Sequence, residues 1–155
     1  MTRRRAPTQV IGWREWLAMP DLGVSAIKAK VDTGARTSSL HAFDLRQERV
    51  GGEPGIRFAL HPIQRDDTAA LEAAAPLIDQ RRVRPSTGRS QLRPVIATSV
   101  TLGGTTWVIE VTLVRRDMMG FRMLLGRQAL RRRFLVDSGR SFLAGPPIVA
   151  GKLEV

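Results

Sequence analysis

Residues 95–102 and 106–114 are two runs rich in β-branched side chains, joined through Gly103-Gly104, and together they limit the fold more than any other stretch. A short glycine loop supplies the positive φ angles that a tight antiparallel connection needs, so the pair reads as a β-hairpin. Residues 10–18 alternate apolar and polar side chains around Trp13 and Trp16, and Met19-Pro20-Asp21-Leu22-Gly23 has turn chemistry. Residues 26–31 form the next short strand, which ends on Asp32; residues 56–60 and 121–125 read as strands too, and 127–134 has helical composition. Residues 134–136 and 141–143 flank Asp137-Ser138-Gly139-Arg140, which reads as a type I′ or related hairpin turn. Residues 67–75 are helical by propensity but serve equally as an extended arm if strand pairing overrides it. Residues 83–90 make a polar, turn-rich tip between strand-like arms, the shape of a mobile hairpin over a site. Many short strands with glycine-rich turns argue for an all-β, closed or nearly closed structure.

A chain of 155 residues accommodates one domain with a substantial apolar core. That domain is placed at 10–145, with 1–9 a disordered basic tail and 146–155 a C-terminal tail. There is no cysteine, which excludes disulfides and thiolate sites and favours a cytoplasmic location. Arg3-Arg4-Arg5 lacks a following apolar segment, and no run approaches the roughly 18 apolar residues that span a bilayer, so no membrane partner is expected. The net charge of +11 comes almost wholly from arginine, since Lys28, Lys30 and Lys152 are the lysines. Such a balance attracts acidic partners. Nucleic acid is not favoured among them, because no basic helix is interleaved with base-stacking aromatics.

The chemistry concentrates in Lys30-Val31-Asp32-Thr33-Gly34-Ala35-Arg36, an aspartate in a Thr-Gly turn after an apolar strand. A distant counterpart, Met123-Leu124-Leu125-Gly126-Arg127, places two apolar residues and a glycine before the helical segment. Peptide hydrolysis by carboxylates needs two of them sharing a proton, one acting as base on water and the other as acid toward the scissile carbonyl. A single Asp32 is half of such a pair. A two-fold homodimer supplies the second copy, with like-charge repulsion holding one proton between them. Thr33 offers a hydroxyl able to bond across the axis, and Gly34 lets backbone approach a carboxylate closely.

Asp32-Thr33-Gly34-Ala35 followed by Leu124-Leu125-Gly126-Arg127 resembles the retropepsin family of aspartic proteases. A wider match, over residues 11–16, 27–42, 93–101 and 120–143, is similar to bacterial proteins catalogued as ATP-dependent zinc proteases and reinterpreted as retropepsin-like. The resemblance implies an all-β acid-protease barrel with one short C-terminal helix, a homodimer, and a hairpin flap at 83–94. It implies an aspartic endopeptidase with Asp32, Thr33 and Gly34 at the catalytic centre and Ala35, Leu124, Leu125 and Gly126 in support. Arg36, Arg127 and His41 are the implied substrate-binding candidates, and a protein or peptide with acidic or glutamate-rich character the implied substrate, because family members are associated with ligases that append glutamates. Arg127 serves equally well as a tie between the helix and its own barrel, and His41 as a structural histidine.

Neither ATP nor zinc is expected as a cofactor. The chain has no phosphate-cradling GxxxxGK[ST] segment, no HExxH, and only His41 and His61 as histidines. Retroviral enzymes place an aspartate after their DTGA run to pair with the arginine after the apolar-apolar-glycine motif, whereas here both positions, Arg36 and Arg127, are arginine. Ala35 withholds the hydroxyl with which a serine would stabilise the ionised carboxylate, so activity is expected to extend toward neutral pH. Asp137-Ser138-Gly139 is not read as a second catalytic turn, since a second lobe needs its own apolar-apolar-glycine strand after the aspartate and only sixteen residues follow Gly139. The alternatives are a metal-dependent peptidase using His41 and acidic neighbours, and a non-catalytic binding module for RNA or acidic protein tails.

Overall fold

The computed structural model describes residues 9–61, 70–83, 91–115 and 120–147. The described residues are mostly strand: β1 (Gln9–Gly12), β2 (Arg14–Met19), β3 (Val24–Asp32), β4 (Ser38–His41), β5 (Phe43–Val50), β6 (Glu53–Leu60), β7 (Leu71–Val83), β8 (Gln91–Leu102), β9 (Thr105–Val114), β10 (Met123–Gly126) and β11 (Phe134–Asp137). One helical turn, α1 (Arg127–Leu130), follows β10. This is the all-β retropepsin-like barrel that the resemblance implies.

Closure comes from β8. The strand order β2-β3-β10-β4-β9-β8 is joined back on itself where β8 meets β2 at Thr101 and Ala18, giving a ring of six strands. The other half of β8 leaves the ring and pairs with β7, which carries β6 and the edge strand β5. One long strand therefore belongs to both the barrel and the arm. The ring is filled by apolar side chains that alternate inward, as pleated strands require; Leu17, Ile27, Leu40, Ile96, Leu113, Met123 and Leu125 are fully buried.

Local chemistry accounts for the elements read from sequence. The β8–β9 hairpin turns through Gly103-Gly104, with Gly103 at φ 58°, a left-handed conformation that glycine adopts without steric cost. Residues 71–75, rich in alanine, take the extended alternative within β7, because pairing with β6 from Leu60 to Gly55 outweighs helix propensity. β7 and β8 pair antiparallel out to Val83 and Gln91, at the base of the hairpin expected at 83–94. Its tip, 84–90, lies outside the described residues.

Three expectations are corrected. Residues 10–18 are two strands in different sheets, broken at Trp13, whose N–H is drawn to the Arg140 carbonyl at 2.9 Å. The helical composition of 127–134 gives only one turn, because Arg132 turns left-handed at φ 67° and Phe134 is recruited into β11. The turn after Asp137 forms, with the Arg140 N–H on the Asp137 carbonyl, but it closes no hairpin. β11 pairs in parallel with β1 at the other end of the chain, Gly12 opposite Asp137.

Candidate active site

Asp32 is the last residue of β3, half-buried, in parallel register with Gly126 of β10. The chain turns immediately after it. The Gly34 N–H donates to Asp32 Oδ1 at 2.9 Å and the Ala35 N–H to the same oxygen at 3.2 Å. Two donors on one oxygen fix the plane of the carboxyl group, and with it the direction of the other oxygen. A Cβ on residue 34 would lie 3.2 Å from Asp32 Oδ1, so the Gly34 backbone makes the close approach expected of it. Thr33 and Gly34 are exposed at the crest of the turn, and Ala35 is half-buried behind it.

β10 supplies the bed. Leu125 and Met123 are buried in the barrel while Gly126 brings backbone against backbone: a Cβ there would lie 2.4 Å from the Thr37 carbonyl oxygen. Ser38, 2 % exposed, accepts the Gly126 N–H on its hydroxyl at 3.0 Å, and the Arg127 N–H continues to the Ala35 carbonyl at 2.7 Å. Leu124 sits between these contacts, opposite Lys30 and Ser39.

Arg127 does more than tie the helix to the barrel. Its Nη1 donates to the Thr33 carbonyl at 3.1 Å, so the guanidinium holds the turn itself. Beside it a hollow of about 440 Å³ is lined by Arg36, Arg127, Gln128 and Arg131. A neighbouring hollow of about 390 Å³ adds Thr37, Arg81 and Glu110, with Arg81 bridging to Glu110 at 2.9 Å and to Asp79 at 3.3 Å. Arg81 belongs to the β7 arm, so the root of the hairpin reaches the surroundings of the Asp32 turn.

Sequence reasoning missed Ser38, Arg81, Glu110, Gln128 and Arg131. Ser38 lies in the hydroxyl run Thr37-Ser38-Ser39 just after the turn, a signal that was present; Gln128 and Arg131 come with Arg127 on the helical turn, and Arg81 and Glu110 are brought in by their strands. His41 is not gathered with them. Ser38, at the start of β4, meets Gly126, and His41 lies three residues further on, about 10 Å along a strand. Its ring stacks on His61 at 6.3 Å and leans on Phe43 at 6.3 Å. Among the described residues no three His, Cys, Asp or Glu side chains converge as a zinc site requires.

The profile of the RimB-like family, described as retropepsin-like aspartic endopeptidase RimB, matches residues 10–147. The chain belongs to this family. It is also 49% identical over 146 residues to a probable alpha-L-glutamate ligase of Shewanella pealeana, a match covering 94% of this chain and 31% of that protein. A probable alpha-L-glutamate ligase of Parasynechococcus marenigrum is 44% identical over 136 residues, covering 88% of this chain and 29% of the other. The chain thus spans less than a third of the length of these relatives. Among solved structures, a Legionella pneumophila protein of unknown function superposes with a TM-score of 0.75 at 25% identity, covering 89% of this chain and 99% of that one.

Proposed function

We propose that this chain is a RimB-like aspartic endopeptidase acting as a homodimer, with one Asp32 from each subunit in the catalytic dyad. The observation that carries this reading is the Asp32 carboxyl group itself, presented on an exposed turn with one oxygen fixed by the Gly34 and Ala35 N–H groups. In the dyad, two such groups share a proton; the ionised one takes a proton from water as the water attacks the scissile carbonyl, and the protonated one donates to the carbonyl oxygen. Thr33 sits at the crest, where the two turns meet.

The arginine-lined hollow of Arg36, Arg127, Gln128 and Arg131 favours a substrate carrying carboxylates near the cleaved bond, since arginine holds carboxylate in a two-pronged arrangement. The relatives named glutamate ligases support the same substrate. More than two thirds of their length lies outside the match, so a module like this chain is joined there to a larger remainder under a name that concerns glutamate.

The test is cleavage of a glutamate-tailed peptide by the wild type and by Asp32→Asn, with a chelator-treated wild type as a third arm. Wild type and chelated enzyme cut; Asp32→Asn does not. Cleavage that stops with chelator and persists in Asp32→Asn overturns the reading in favour of a metallopeptidase.

A further inference from the structure

Glu15 is fully buried, and the chemistry above does not use it. A carboxylate taken out of water is costly unless its lone pairs are met by donors. Here they are met by backbone. Oε2 accepts the Gly12 N–H at 2.7 Å and the Leu143 N–H at 2.8 Å, while Oε1 accepts the Ala144 N–H at 3.0 Å. One side chain thereby joins the β1–β2 corner to a segment almost at the other end of the described chain.

The held segment is under strain. Phe142 has φ 56°, a left-handed conformation in which a bulky side chain persists only when its surroundings impose it. Its N–H is taken by the Arg14 carbonyl at 3.0 Å, and its ring stacks on Trp16 at 5.8 Å. The output of the corner is Trp13, whose N–H donates to the Arg140 carbonyl at 2.9 Å and whose carbonyl accepts the Val31 N–H at 2.8 Å. Val31 is the residue before Asp32. The strand that ends on Asp32 is thus gripped on two sides. On one side Gly126, held by the Ser38 hydroxyl, lies in register with Asp32; on the other, the corner held by Glu15 takes the Val31 N–H.

We propose that Glu15 is a positioning residue for Asp32, acting through the Gly12–Trp13 corner and the Trp13 carbonyl; the proposal rests on the aspartic-peptidase reading. A neutral amide does not replace the carboxylate. Glutamine accepts on one end only, so its NH₂ faces either the Ala144 N–H or the pair from Gly12 and Leu143, and the corner loosens.

The experiment compares wild type, Glu15→Gln and Asp32→Asn on one cleavable acidic peptide across pH, with activity expressed per folded molecule well below each melting transition. Glu15→Gln is expected to lower kcat about tenfold with KM little changed, the cost of a misplaced catalytic group. The limbs of its pH–rate profile move as well, because the coupling of the two carboxyls depends on their separation. A lowered melting temperature with wild-type kcat and unmoved limbs overturns the proposal. Native-state hydrogen exchange on the wild type needs no variant and decides the matter if Glu15→Gln does not fold. The Gly12, Leu143, Ala144 and Val31 amides are expected to open as one unit with a common denaturant dependence. Val31 opening independently of the other three overturns the proposal. A wild type that does not cleave, or an Asp32→Asn that does, sinks the peptidase reading instead, and the exchange measurement still decides whether the corner and the Asp32 strand are coupled.

Discussion

In the Asp32-Thr33-Gly34 turn the carboxylate takes the N–H two residues on at 2.9 Å, and in the Asp137-Ser138-Gly139 turn it takes the corresponding N–H at 3.0 Å. Each aspartate ends a strand paired in parallel with an apolar-apolar-glycine strand, Leu124-Leu125-Gly126 for one and Val10-Ile11-Gly12 for the other, glycine opposite aspartate. Each glycine is pressed against a backbone carbonyl, Thr37 in the first case and Arg140 in the second. Each glycine N–H ends on a buried side chain, the Ser38 hydroxyl or the Glu15 carboxylate. The residue after each glycine donates its N–H to the carbonyl three positions beyond the aspartate, Arg127 to Ala35 at 2.7 Å and Trp13 to Arg140 at 2.9 Å. The surroundings differ. The first turn stands beside hollows lined by Arg36, Arg127 and Arg131, and the second has residues 142–144 drawn over its neighbouring corner by Arg14 and Glu15. Exposure does not separate the two turns, since Asp32 and Asp137 are both half-buried and the two residues after each are exposed, so the shared backbone plan does not by itself decide what either carboxyl group is used for.

The sharpest way to break that comparison is one substitution made in both turns. Asparagine keeps an oxygen for the Gly34 or Gly139 N–H, so neither turn need collapse. Asp32→Asn is expected to lower kcat by a factor on the order of a thousand or more, as loss of a catalytic group does, while Asp137→Asn stays within a few-fold in the same peptide assay. Next in size is alanine at the two glycines. A Cβ would sit 2.4 Å from the Thr37 carbonyl oxygen in Gly126→Ala and 2.2 Å from the Arg140 carbonyl oxygen in Gly12→Ala, against backbone that does not yield cheaply. Each is expected to cost about 3 kcal/mol or more in urea unfolding, at the upper end of overpacking losses. Ser38→Ala strips the acceptor from the buried Gly126 N–H and should cost about 1 to 3 kcal/mol in the same titration. The smallest effect sharpens the first turn alone. A serine hydroxyl in Ala35→Ser favours the ionised carboxylate, so the pH–rate profile moves toward acid with little change in its maximum.

Much of this was legible in the sequence where the signal is local. The glycine pair between β-branched runs announced the β8–β9 hairpin, and the apolar run before Asp32 announced β3. The turn at Asp137 was legible as a turn, but not its partner strand, which lies far before the aspartate at residues 10–12, because a parallel pair can be joined from any distance. Glu15 falls within the wider match at 11–16, but its burial was not legible: by charge it reads as a surface residue, and the N–H groups of Gly12, Leu143 and Ala144 that meet its carboxylate are brought together only by the fold. The helical composition of 127–134 misled because a first turn is the costly part of a helix, and Phe134 already belongs to β11, which leaves no length for a second.

β10 lies between β3 and β4, strands made some ninety residues before it, and β1 waits longer still for β11. Closing loops of that length is slow, and neither can close before its far partner has been synthesised. A nascent chain that stops short of Gly126 therefore carries an aspartate with no bed beneath it. The order of synthesis keeps the carboxyl group unassembled until the last elements of the barrel emerge from the ribosome.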